Sequence, residues 1–179
     1  MTTSDREKHV DIHFMYIDLD TCTRCAGTEA HLDAALDSVA SVLQSAGATV
    51  SLRKTLVTST EQAEELAFVS SPTIRVNGRD IALELRESTC VSCGEASGGD
   101  EEIDCRVWVY RGEEYTEAPR PMIVDAILAA VYSGDGRPAD KTPAPETADS
   151  RENLARFFAA KANNAGACCG GDVASKGCC

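Results

Sequence analysis

The chain changes its hydrophobic period several times, and each change marks an element. Val10 to Ile17 (VDIHFMYI) alternates and then runs apolar, which predicts a buried strand. From Ala26 the apolar residues Leu32, Ala35, Leu36, Val39, Leu43 and Ala46 fall at helical spacing, and Gly47 follows as a C-terminal cap. Thr49 to Leu52 reads as a second strand, and Thr58-Ser59-Thr60-Glu61 is a capping-box pattern opening a helix from Glu61 to Phe68. Asn77-Gly78, set between two alternating runs, predicts a hairpin of two antiparallel strands. Residues 88–105 are polar, acidic and glycine-containing, and read as a long loop; Cys105 to Tyr110 is a further strand. A turn at Arg111-Gly112 and a helix from Met122 to Tyr132 close the pattern.

Beyond Ser133 the texture shifts. Residues 134–150 hold three of the six prolines and almost no bulky apolar side chains, as a flexible linker does. Residues 151–165 predict a short amphipathic helix with Leu154, Phe157 and Phe158 on one side, and residues 166–179 form a Gly- and Cys-rich tail that cannot build a core. The expected organisation is a disordered stretch 1–8, one domain over 9–133, the linker, the helix and the flexible tail.

Charge narrows the partners. Of 179 residues, 29 are acidic and 17 basic, a formal net charge of -12 that repels phosphate backbones and disfavours nucleic acid. Only five of the bases are lysine, and an acidic, lysine-poor surface is what a salty cytosol favours. The N-terminal stretch is polar and lacks the apolar core of a signal peptide, and no apolar run approaches the ~18 residues of a membrane helix. A cytoplasmic protein without membrane contact is expected. Nine cysteines in a reducing compartment then point to catalysis or metal binding rather than to disulfides, and an odd number cannot pair completely.

Two short motifs carry most of the chemistry. Cys22-Thr23-Arg24-Cys25 lies between the first strand and the first helix, and Ser71-Pro72-Thr73-Ile74 leads into the hairpin. In this order, over about residues 9–132, they resemble the thioredoxin fold, an α/β arrangement with a mixed sheet flanked by helices. The chain is also similar to a thioredoxin-like prokaryotic family of unknown function that carries further cysteines after the hairpin. The resemblance implies that Pro72 is a cis-proline facing Cys22 and Cys25. Thr21 stands where thioredoxin has tryptophan and Thr23-Arg24 where it has Gly-Pro, so substrate range and potential do not carry over.

At the start of a helix Cys22 meets free N–H groups and the helix dipole, which favour a thiolate, with the Arg24 cation as a further aid. Cys22 is thus the expected nucleophile of a thiol–disulfide oxidoreductase acting on protein disulfide or dithiol partners, Cys25 the resolving thiol, and Pro72 the shaper of the docking edge. The strand after Asn77-Gly78 returns toward the same sheet end, so Cys90, Cys93 and Cys105 are expected to join Cys22 and Cys25 there. Three readings of these accessory thiols stand open: a redox relay, a zinc or soft-metal site, and an incidental disulfide. Cys168-Cys169 and Cys178-Cys179 are vicinal pairs suited to a large thiophilic ion, and resemble those of arsenic metallochaperones. No cofactor is obligatory on this reading; arsenite, mercuric ion or zinc are the candidate ligands, and a zinc-stabilised interaction module is a further alternative. His9, His13 and His31 read as surface or packing residues.

Overall fold

The computed structural model describes residues 8–98, 102–132 and 148–166. In chain order its elements are β1 (Lys8–Tyr16), α1 (Thr23–Ser45), β2 (Ala48–Leu56), α2 (Thr60–Glu65), β3 (Thr73–Val76), β4 (Arg79–Asp80), β5 (Arg86–Thr89), α3 (Val91–Ser97), β6 (Asp104–Tyr110), β7 (Glu113–Tyr115), α4 (Arg120–Tyr132) and α5 (Ala148–Gly166). They form a mixed sheet in the order β2-β1-β3-β4 and a smaller one in the order β5-β6-β7. β1 runs parallel to β2 and antiparallel to β3, as a β1–α1–β2 crossover followed by a hairpin requires. The result is an α/β fold with a mixed sheet flanked by helices, compatible with the thioredoxin-like expectation.

Strand alternation sorts β1 between two cores. Val10, Ile12 and Phe14 point one way and pack with Leu32, Ala35 and Val39 of α1 and Ile123, Ile127 and Val131 of α4. Met15 and Ile17 point the other way, into a second core with Val57, Phe68, Ile103, Leu154, Phe157 and five cysteines. Each large side chain buried this way contributes about 1.5–3 kcal/mol. The first core fixes the sheet against its helices. The second surrounds the sulfur chemistry.

Several boundaries differ from the sequence pattern. Asn77 (φ +52°) and Gly78 (φ +80°) form the expected tight turn, but β4 is only two residues long and the returning chain re-forms as β5 in the second sheet. The expected loop 88–105 contains α3, a short helix capped by Cys90 and held by burial of Cys93, Gly94 and Ser97. β1 begins at Lys8 and α5 at Ala148, so the strand takes the last residue of the expected disordered start and the helix the last three of the expected linker. Cys168, Cys169, Cys178 and Cys179 lie outside the described residues. Among those described, no helix is long and apolar enough to cross a membrane.

Candidate metal centre

The loop after β1 is wound around Asp18. Its Oδ1 accepts hydrogen bonds from the backbone N–H groups of Thr21 (2.7 Å) and Cys22 (3.4 Å), which turns the chain and sets Cys22 as the N-cap of α1. The Cys22 Sγ accepts the Cys25 N–H at 3.3 Å, the role that a serine or aspartate oxygen usually fills. Cys90 occupies the matching position of α3. Two helix starts thus carry a cysteine, and at α1 the N–H donated to Cys22 favours negative charge on its sulfur.

The two Cys-x-x-Cys segments meet directly. The Thr23 N–H donates to Ser92 Oγ at 3.2 Å, and the two hydroxyls of this pair are also 3.2 Å apart. Cys105, in β6 opposite Ser88 of β5, comes to the same place from the second sheet. The sulfurs of Cys22, Cys90, Cys93 and Cys105 all lie within 4.8 Å of one another, and all four residues are buried. Cys93 donates to Cys22 across 3.0 Å, and its sulfur lies 2.7 Å from that of Cys105. These separations exceed the ~2.05 Å of a disulfide bond, and all five described cysteines are free thiols.

Charge in this cluster is shared unevenly. Hydrogen bonds from Cys105, Cys25, Cys90 and Cys93 pull the Cys22 thiol far below its ordinary range, against the opposing effect of burial. Cys90 is lowered to about 6, chiefly by Cys105. Cys105 is pushed up by Cys22, Cys90 and Cys93 in turn. Cys93 also rises: Cys105 lowers it, but Cys22, Cys90 and burial outweigh that. Cys22 and Cys90 are thus biased toward thiolate, and Cys93 and Cys105 toward thiol. A divalent ion bonded to four thiolates at ~2.3 Å sets neighbouring sulfurs about 3.8 Å apart in a tetrahedron. The close pairs at 2.7 and 3.0 Å need to open and the widest, under 4.8 Å, to close, each by about an ångström or less. The donor set fits such an ion.

Arg24 is engaged by backbone acceptors. Its guanidinium donates to the carbonyl oxygens of Ser88 (3.1 Å), Thr89 (2.8 Å) and Cys105 (3.3 Å) and to Ser88 Oγ (3.0 Å). It ties α1 to β5 and β6 instead of pairing with the Cys22 sulfur, because backbone acceptors at the edge of the second sheet lie within its reach. Cys25 is equally distinct. It is fully buried, but its Sγ lies 3.3 Å from Ser71 Oγ and it is not one of the four converging thiols. The Ser71–Pro72 peptide is cis, and Pro72 is buried.

α5 roofs the cluster, a role invisible in the sequence pattern. Leu154 and Phe157 enter the cysteine-bearing core. Asn153 exchanges two 2.8 Å hydrogen bonds with the backbone of Asp104, Lys161 reaches Asp18 at 3.0 Å, and Asn164 donates to the Ser97 carbonyl at 2.5 Å. That last contact needs Gly98: φ is +120° there, and an added Cβ would lie 1.6 Å from Asn164 Nδ2. Also unforeseen is Arg106, fully buried and paired at 2.9 Å with Asp80, its backbone N–H donating to Ser71 O at 2.8 Å. An arginine inside the apolar run of β6 was the available signal for a paired interior charge. The histidines stay outside the cluster: His9 meets Thr49 and Ser51, His13 meets Thr55 and Arg53, and His31 meets the Ala118 carbonyl.

Residues 10–127 match the model of a family described as a domain of unknown function (DUF2703). No curated protein and no solved structure gives a significant match.

Proposed function

Because this chain belongs to the DUF2703 family, whose function is unknown, its activity is read from its own site, and we propose that it is a metal-binding protein holding one thiophilic ion through Cys22, Cys90, Cys93 and Cys105. The observation that carries this reading is the convergence of four buried sulfurs from α1, α3 and β6 within 4.8 Å of one another. Four thiolates and no hard donor select a soft or borderline ion, and a tetrahedral set of four suits zinc. With four protein ligands the ion has no open position, so it serves as a resident clasp joining α1 to the second sheet rather than as an activator of water. Arsenite or mercuric ion would use fewer of the same sulfurs. The tail pairs Cys168–Cys169 and Cys178–Cys179 are a second set of soft donors on this reading.

Titration of the reduced full-length chain with Co²⁺ tests the proposal. The expected result is the visible absorption of a tetrahedral tetrathiolate site at one ion per chain, weakened by Ser at any of the four positions and retained when the four tail cysteines are Ser. An octahedral spectrum, or one that depends only on the tail, would overturn it.

A second reading, thiol–disulfide exchange with Cys22 attacking and Cys25 resolving, is favoured by the placement of Cys22 at the tip of α1 and of Cys25 against Ser71 of the Ser71–Pro72 loop. Burial of both thiols counts against docking of a bulky protein disulfide on them. Reduction of an insulin-type disulfide, lost in Cys22→Ser, is its test.

A further inference from the structure

Cys25 is the one described thiol in the second core that the four-sulfur site does not use. It sits one helical turn after Cys22, where side chains three apart are neighbours at about 5–6 Å between Cβ atoms, so a disulfide needs the two Cβ atoms to approach by about 1–2 Å. Its backbone N–H already contacts the Cys22 sulfur at 3.3 Å, and Ser71 Oγ holds its own sulfur at 3.3 Å. The other cysteines of the cluster are all ligands, and a bound ion holds their sulfurs at tetrahedral spacing, too far apart to bond to one another. Among the described cysteines, Cys25 keeps the uncoordinated thiol. Cys22 is also the only ligand drawn from α1; Cys90, Cys93 and Cys105 come from the α3 and β6 side.

We propose that Cys22 has two exclusive bonding partners, the ion and Cys25, so that two-electron oxidation of the Cys22–Cys25 pair by a peroxide releases the metal. The inference rests on the metal-binding reading above. In the first step the Cys22 thiolate takes one oxygen of the peroxide. The O–O bond breaks, hydroxide departs, and Cys22 becomes a sulfenic acid. In the second, the Cys25 thiol attacks that sulfur, the S–O bond breaks, and the hydroxyl leaves as water with the Cys25 proton. Two sulfurs have been oxidised to a disulfide and one peroxide reduced to water and hydroxide. The ion is left with three thiolates and is released, and a dithiol reductant restores the site.

The test uses the full-length chain with the four tail cysteines changed to Ser, loaded with zinc and treated with hydrogen peroxide. Zinc release is followed with a chromogenic chelator, and disulfides are mapped by mass spectrometry at intervals. The expected result is release that keeps pace with a Cys22–Cys25 disulfide and is about tenfold slower in Cys25→Ser, compared at equal zinc loading. Equal release rates, or a first disulfide linking Cys90 and Cys93, would overturn the inference while leaving the metal site intact. If Cys25→Ser does not fold, the order of disulfide formation in the parent chain decides alone. Failure of the parent chain to hold zinc at all would instead overturn the metal-binding reading.

Discussion

Cys93 and Cys22 lie 71 positions apart in sequence and 3.0 Å apart in space, with the Cys93 thiol donating to the Cys22 sulfur. This contact joins the N-terminus of α1 to α3, the helix that packs against α5. Cys93→Ser replaces a soft ligand by a hard one and is expected to weaken zinc or cadmium binding by roughly 100-fold or more. Competition against a chelator of known affinity measures the change. An unchanged affinity would remove Cys93 from the ligand set.

Protonation gives the site a definite pH dependence. Cys93 and Cys105 are raised and so hold protons near neutrality, whereas Cys22 is lowered and Cys90 lies at about 6. Metal must displace the protons on Cys93 and Cys105, so affinity rises with pH by about tenfold per unit for each proton displaced. Below about 6 Cys90 also gains a proton and the dependence steepens. Proton release on zinc addition in weak buffer should exceed one per ion. Release near zero would contradict the charge distribution described.

His13 gives the fold its own acid sensitivity. Burial, with Arg53 and Arg75 nearby, lowers its pKa from 6.5 to about 4, so between these values the unfolded chain binds a proton that the folded chain does not. Stability is complete above 6.5 and is lost as the pH falls toward 4, by about 3 kcal/mol. Urea midpoints across this window should show that slope in the parent chain and a flatter one in His13→Gln.

Asp80 and Arg106 form the buried ion pair behind the cis-proline loop. Asp80→Ala leaves a fully buried guanidinium without its counter-charge and is expected to cost about 3–5 kcal/mol. Chemical denaturation measures it, and a loss below 1 kcal/mol would show that the pair relaxes into water.

One of the contacts that dock α5, that of Asn164 with Ser97, depends on a single backbone position. Gly98→Val places a side chain where Asn164 now lies, at a positive φ that a β-branched residue resists. Faster amide exchange in α5 and easier loss of metal are expected together, because Leu154 and Phe157 of that helix cover the cysteines.

Much of this arrangement was legible in the sequence for local reasons. Asn77-Gly78 specifies its turn, the spacing of Leu32, Ala35, Val39 and Leu43 specifies the face of α1, and a cysteine pair at a strand–helix junction marks a site. The return of Cys90, Cys93 and Cys105 to that site followed from hairpin direction alone. The membership of the cluster did not. Spacing treats Cys22 and Cys25 as equals, whereas the N-cap position turns Cys22 toward Cys93 and leaves Cys25 facing Ser71. α3 escaped because Val91–Ser97 is small and polar and gains its order from burial of Cys93, Gly94 and Ser97 and from packing against α5. The roof of the site was out of reach for the same reason: periodicity shows that α5 has an apolar side but not what lies beneath it.

X-ray absorption at the zinc edge of the reduced full-length chain, with the tail cysteines changed to Ser, bears most directly on the four-thiolate centre. Four sulfur neighbours at ~2.3 Å are the predicted result. A shell containing nitrogen or oxygen, or a chain that retains no zinc, would contradict it.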